Sequence, residues 1–350
     1  MIRKNSSQAT PVRKRRLGVV GVVVLIAAVI AVLSVSSFVI ICGCGPSYNA
    51  AAQDGNSRPR RVEGDNNSVV HVNKENATGM SNKDKNAPPP SFYQALDTAL
   101  ELRGTTQSAV CDTTDAVSRR VLEDYGAMFL ATESVQPPPV CVFKNESDVA
   151  SFQNKAGFES ASIGGSTIEL QPAAMKALLT ARKEAQKEGL DITPRGGTEA
   201  ARRSYGDTRR LWDTRFLPAL VHWQKKGRLT REQASNLRAM PLDKQVGEVL
   251  ELEKRGIFFS KDLSKSILYS IAAPGTSQHI AMLALDVTQF ADARVRRILA
   301  RHGWFQTVKS DLPHFTYLGV TEESLPSLGL RAVRSGEQKF WIPNVETGDR

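Results

Sequence analysis

The sequence predicts an α+β domain, a small antiparallel sheet with flanking helices, preceded by a transmembrane helix and a disordered tether. Three observations carry this expectation. An uncharged run over residues 17–41 follows the basic cluster Arg13-Lys14-Arg15-Arg16. Residues 45–90 are rich in Asn, Ser, Asp, Lys and Pro and nearly free of large apolar side chains. Beyond them, amphipathic segments of helical period alternate with short apolar runs of strand length.

Taken in order, residues 1–16 read as a basic cytoplasmic tail and residues 17–42 as the anchor. The apolar run is long enough to cross a bilayer, whereas a cleaved signal has an apolar region of roughly 7–15 residues. The positive flank stays inside, so the rest of the chain faces outward. Ile41-Cys42-Gly43-Cys44 also reads as a degenerate lipoprotein box with Cys44 acylated, a reading the length of the apolar run disfavours. Residues 43–90 form a linker that ends in Pro88-Pro89-Pro90 and cannot bury enough surface to fold. A tether of this length reaches on the order of 35–40 Å by random-coil scaling.

The chain has 350 residues, 41% hydrophobic and 23% charged, which is room for one or two domains with a core that needs no disulfide to hold it. Its net charge of +10 would suggest nucleic acid if it were spread over a folded domain. Six of the positive charges (Arg3, Lys4, Arg13, Lys14, Arg15, Arg16) precede the anchor, and no aromatic residues interleave with basic ones as base stacking requires, so nucleic acid is set aside.

Residues 91–160 read as a helical accessory region, with helices expected over 91–102 and 113–131, a break at Gln136-Pro137-Pro138-Pro139 and a short strand over 140–143. Cys111 and Cys141, in an oxidising compartment and without Cys-x-x-Cys spacing, are expected to pair as a disulfide rather than bind metal. Residues 161–350 read as the main domain, with helices over 173–188, 200–226 (one or two), 242–255 and 291–302. Strands are expected over 190–193, 280–287, 304–308 and 314–318. Leu211, Trp212, Phe216, Leu217, Leu220 and Trp223 supply a buried helical face.

Chemistry concentrates in two segments, Pro274-Gly275-Thr276-Ser277-Gln278-His279 running on to Asp286, and Asp311-Leu312-Pro313-His314-Phe315. Catalytic zinc takes three protein ligands and leaves one position for water, with a carboxylate nearby to accept that water's proton. His279, Asp286 and His314 meet the first need and Asp311 the second. Asp286 lies inside an apolar run, where a carboxylate needs a partner, and both a metal and an Arg would serve. His222 and His302 read as structural, and His71 falls in the linker.

These residues carry a resemblance. Ser277-x-His279 followed by Ala284-x-Asp286 resembles the first box of the zinc D-alanyl-D-alanine carboxypeptidases of the vancomycin-resistance type and of the related L-alanyl-D-glutamate endopeptidases. Asp311-Leu312-Pro313-His314-Phe315 resembles their second box in its endopeptidase form, and Arg203-Ser204-Tyr205 an upstream element whose Arg lies in the active site. The sequence departs from the pattern at Ala200-Ala201-Arg202, Thr208 and Met282, where the family has Ser-Gly-Tyr, Gln and Gly.

The resemblance covers about residues 160–320 and implies the fold of the Hedgehog signalling domain and the DD-peptidases, with Zn2+ on His279, Asp286 and His314. It further implies Asp311 as general base, Arg203 as a catalytic and substrate-binding cation, and Ser204, Tyr205 and Ser277 beside the substrate. The implied reaction is hydrolysis of peptide bonds in peptidoglycan stem peptides, as a D-Ala-D-Ala carboxypeptidase or an L-Ala-D-Glu endopeptidase. A chain of this kind would sit as a single-pass protein in a bacterial inner membrane with its catalytic domain on the periplasmic or cell-wall side. The alternative is a non-catalytic wall-binding or scaffold protein on a degenerate peptidase fold.

Overall fold

The computed structural model describes residues 88–345; the basic tail, the anchor and nearly all of the linker expected from the sequence lie outside the described residues. Among the described residues no helix is long and apolar enough to cross a membrane.

The described chain begins with α1 (Phe92–Leu102), whose Ser91 hydroxyl and Gln94 side chain form a reciprocal capping box. A short α2 (Gln107–Val110) and α3 (Ala116–Tyr125) follow, the latter running into a 3-10 turn over Gly126–Leu130. Next come α4 (Glu146–Ala156), the hairpin β1 (Glu159–Ile163) and β2 (Ser166–Leu170), and α5 (Pro172–Lys187) with proline in its first turn. Three helices then pack together, α6 (Tyr205–Lys225), α7 (Arg231–Ala239) and α8 (Leu242–Lys254). The remainder is β3 (Ala284–Asp286), α9 (Ala293–Arg301), β4 (Trp304–Phe305), β5 (His314–Tyr317), β6 (Leu330–Ser335) and β7 (Gln338–Pro343).

The central sheet is small and antiparallel in the order β3-β5-β4, flanked by helices as expected. One apolar core runs from Phe92 and Leu96 of α1 through Ala174 and Leu178 of α5 to Leu285, Phe315 and Trp341, so residues 91–160 share a core with the sheet. A second core lies among α6, α7 and α8, where the rings of Trp212, Phe216 and Phe259 stack and Gln245 accepts from the indole of Trp212 at 2.9 Å. These aromatics are packing residues, as their helical spacing indicates.

Four expected strands change; one of them, the run 304–308, is a strand only over Trp304–Phe305. The run 140–143 is irregular, because the Cys111–Cys141 disulfide and the prolines before it commit its backbone to other partners. Cys141 N–H donates to the Val110 carbonyl and Phe143 N–H to the Gly275 carbonyl. The run 190–193 forms no strand and meets the sheet through one isolated bridge, Pro194 to Val287. The run 280–287 is a strand only over Ala284–Asp286, because its first part closes a 3-10 turn over Gln278–Ala281.

The expected disulfide is present and joins residues 30 apart in sequence. Closing a loop of that size restricts the unfolded chain enough to contribute about 3.5 kcal/mol on the chain-entropy account. A Cys111→Ser/Cys141→Ser double variant is therefore expected to unfold at lower denaturant with loss of stability of that order. Equilibrium unfolding in urea checks it, and an unshifted midpoint would refute it.

Candidate metal centre

Two of the proposed ligands are a cross-strand pair. Asp286 closes β3, His314 opens β5, and the antiparallel register sets them opposite each other. Side chains alternate along a strand, so Thr316 shares the face of His314, while Phe315, opposite Leu285, is buried in the apolar core on the other side. The third ligand comes from the 3-10 turn before β3, where the Ser277 hydroxyl caps the turn by accepting from His279 N–H.

Pro274-Gly275 brings that turn into place. A Cβ on Gly275 would sit 2.1 Å from the Phe143 carbonyl oxygen, and the backbone there has φ +78°. Only glycine lets residues 141–143 lie against the loop. Thr208 of α6 binds the same turn: its hydroxyl accepts from Gly275 N–H at 3.1 Å and donates to the Tyr205 carbonyl. Gln153 of α4, itself buried, donates to the carbonyls of Arg203 and Ile280 and so ties the Arg203 segment to the His279 turn.

Three ligand atoms converge. His279 Nε2 lies 3.1 Å from His314 Nδ1 and 3.4 Å from Asp286 Oδ1, and His314 Nδ1 lies 3.3 Å from the same oxygen. A tetrahedral zinc with bonds of about 2.05 Å places its ligand atoms about 3.3 Å from one another, the edge of that tetrahedron. Asp286 Oδ1 is buried and has no hydrogen-bond partner, although its other oxygen accepts from Arg203 Nη2 at 2.8 Å. His279 Nδ1 faces the Ala201 carbonyl at 3.3 Å, which can only accept, so Nδ1 carries the ring proton and Nε2 is a bare lone pair. An orphaned carboxylate oxygen and imidazole nitrogens at tetrahedral spacing fit a divalent ion of the zinc type.

The electrostatics agree. Burial pushes the His279 imidazolium down to about 4, with the nearby Arg203 charge adding to the effect. Burial alone would raise Asp286, but His279 and His314 outweigh it and hold the carboxyl well below its ordinary range. At neutral pH the site therefore offers a neutral His279 and an ionised Asp286, the forms a metal takes.

Asp311, Arg203, Ser277, His279 and His314 line one cleft, of about 110 Å3, together with Tyr125 and the 268–272 segment. Removal of water around the Asp311 carboxyl raises it above its ordinary range, and the Asp286 charge adds to this while His314 and Arg203 oppose it. The Asp311 side chain is open at the cleft mouth, where solvent screens the charge. A larger groove of about 750 Å3 between α9 and the β6–β7 hairpin contains none of these residues.

Ser204 and Tyr205 do not line the cleft. Ser204 caps α6, its hydroxyl bonded to the Asp207 carboxylate, and Tyr205 begins the helix and packs on the main core. His302 has an acidic partner that its spacing did not suggest, Glu184 at 2.6 Å. Gln153 and Gln278 are contributors that sequence reasoning passed over, since a lone amide carries no spacing signal, and Thr208, read there only as a departure from the family pattern, holds the Gly275 turn.

Met282 stands where the resembling family has Gly, and its backbone is left-handed, with φ 55° and ψ 30°. The conformation is kept and the side chain is fully buried. Met282→Gly would relieve about 1–2 kcal/mol of backbone strain but forfeit a buried side chain whose removal costs about 2–5 kcal/mol. A net loss on the order of 2 kcal/mol is expected in urea unfolding, and a stabilised variant would contradict it.

No protein-family description matches the chain, and no curated protein matches it. Among solved structures the chain is similar to a single-residue mutant of the vancomycin-resistance D,D-pentapeptidase VanY from a VanB-type cassette, in complex with Zn(II), at 18% identity, 47% of this chain, 79% of that chain and a TM-score of 0.28. A likeness at that level carries no functional weight.

Proposed function

We propose that the chain is a zinc-dependent peptidase acting on peptidoglycan stem peptides, as a D-Ala-D-Ala carboxypeptidase or an L-Ala-D-Glu endopeptidase. One observation supports it above the others: three candidate ligand atoms lie at tetrahedral spacing, and the two histidines among them line a cleft with the Asp311 carboxyl, which lies outside the group of three. The substrate class follows from the resemblance of the two boxes. His279, Asp286 and His314 would hold Zn2+, which when bound supplies a Lewis acid and makes water acidic near neutral pH.

The chain's own residues do the rest. Asp311 accepts the proton of the attacking water and returns it to the leaving amine. Arg203, fixed by its bonds to Asp286 Oδ2 and the Glu199 carbonyl, keeps a positive charge beside the cleft for a substrate carboxylate or a developing oxyanion. Ser277 shapes the loop. The expected anchor and linker would hold this domain near the wall on the outer side of a bacterial inner membrane.

The test uses the full chain in detergent, its zinc content measured and the protein incubated with a defined stem pentapeptide and with intact sacculi. Release of one D-Ala would establish the carboxypeptidase and cleavage only at internal bonds the endopeptidase. Stoichiometric zinc with neither product would favour a wall-binding role, and absence of zinc would overturn the metal site.

A further inference from the structure

We propose that Gln278 is a positioning residue for the metal centre, its amide oriented by the Tyr125 carbonyl so that His314 keeps the tautomer with a bare Nδ1. The proposal rests on the metal-site reading above. Gln278 is buried at 2% exposure, one residue before His279, and its amide is bonded on both sides. One amide atom lies 2.7 Å from the Tyr125 carbonyl oxygen. A backbone carbonyl can only accept, so that atom is the NH2 group and the amide oxygen points the other way.

The oxygen then faces His314 Nε2 at 2.7 Å and the Thr316 hydroxyl at 2.5 Å. An amide oxygen also only accepts, so Nε2 of His314 carries the proton. A neutral imidazole has one N–H, which leaves Nδ1 as a lone pair. The consequence is large for a single proton. With the other tautomer, the 3.1 Å contact between the two rings would be a plain N–H···N bond that consumes one ligand atom of each histidine. With this one, two nitrogen lone pairs and the Asp286 oxygen face one another and call for a cation between them.

The orienting carbonyl comes from outside the two boxes. Tyr125 is the last residue of α3 and the N-cap of the 3-10 turn that follows, and its hydroxyl is pinned by donating to the Leu268 carbonyl at 2.7 Å. Residues 91–160 therefore do more than cover the sheet: the end of α3 sets the protonation pattern of a ligand on β5. Thr307 and Thr316, bonded hydroxyl to hydroxyl at 2.6 Å, complete the polar pocket around the amide.

The test uses the full chain in detergent, stripped of metal and labelled at histidine nitrogen, near pH 8, above the ordinary histidine range. Nitrogen chemical shifts report the tautomer, and competition with a chromophoric chelator reports zinc affinity. The wild-type protein is expected to show His314 protonated at Nε2. Gln278→Leu is expected to lose that pattern and weaken zinc about 10–100-fold, the usual effect of removing an outer partner of a ligand. Gln278→Glu keeps an acceptor for Nε2–H and is expected to retain the tautomer and bind zinc more tightly than the leucine variant.

A wild-type His314 protonated at Nδ1 would overturn the proposal, as would unchanged zinc affinity in Gln278→Leu or equal losses in the leucine and glutamate variants. If Gln278→Leu does not fold, the wild-type tautomer decides alone. His279→Ala separates the two levels. Weak zinc binding there with full binding in Gln278→Leu sinks only the role of Gln278, whereas equal binding in His279→Ala and wild type sinks the metal reading itself.

Discussion

Replacing His279 with alanine is expected to abolish stoichiometric zinc and, with it, hydrolysis. The imidazole is 1% exposed, its Nδ1 is committed to the Ala201 carbonyl, and its Nε2 is one of the three atoms that could hold the metal. Removing one of three protein ligands leaves two on the β3–β5 pair, too few for a catalytic zinc site. The loss should exceed the 10–100-fold typical of outer-shell changes. A stability readout makes the expectation independent of substrate. A ligand that binds only the folded state adds about 4 kcal/mol when present at 1,000 times its Kd, so chelator should lower the melting temperature of the wild-type chain. The same chelator should leave the melt of His279→Ala unmoved. If chelation has no effect on the wild type, the three side chains are a polar cluster and nothing more.

The reasons this site was visible in the sequence are specific. Asp286 sits in an otherwise apolar run, and burying an ionised carboxylate demands a partner. Of the two partners weighed for it, the Arg is present, since Arg203 takes Oδ2, while the two imidazoles face Oδ1 across the place a metal would occupy. His279, Asp286 and His314 were legible because each sits beside a strong local signal, a Pro-Gly turn or a short apolar strand. The α5, α6 and α8 helices were legible for a similar reason, their apolar faces recurring at helical spacing.

What was not legible has a common cause. The β6–β7 hairpin breaks strict alternation, with Ala332-Val333 and Phe340-Trp341-Ile342 adjacent, and is partly open to solvent, and α7 carries only Ala234 and Leu237 on its buried face. Such weak patterns do not stand out from loops. The outer partners of the site, Gln153, Thr208, Gln278 and the Tyr125 carbonyl, act through contacts spanning from 36 to 153 residues in sequence. Spacing cannot disclose an interaction whose geometry is made only by the folded core.

The second large effect is expected at Asp311. Asp311→Asn should retain zinc and lower hydrolysis by about 10²–10⁴-fold, the range general base catalysis supplies. Retention follows from position, because Asp311 lies across the cleft mouth and outside the cluster of three ligand atoms. The loss follows from chemistry, because the amide is nearly isosteric with the carboxylate but cannot take a proton. The tight turn that presents it is fixed at both ends: Asp311 N–H donates to the Val308 carbonyl, His314 N–H to the Asp311 carbonyl, and Val287 N–H to the Pro313 carbonyl. Asp311→Glu, one methylene longer but able to take the proton, should keep part of the activity that Asp311→Asn loses. Because loss of water raises the Asp311 carboxyl, the acid limb of kcat/KM should fall above the ordinary carboxylate range, with activity rising as pH increases through it and the proton leaves. That limb should vanish in Asp311→Asn. Zinc lost together with activity in the asparagine variant would make Asp311 a ligand rather than a base, and full activity there would move the base to another residue.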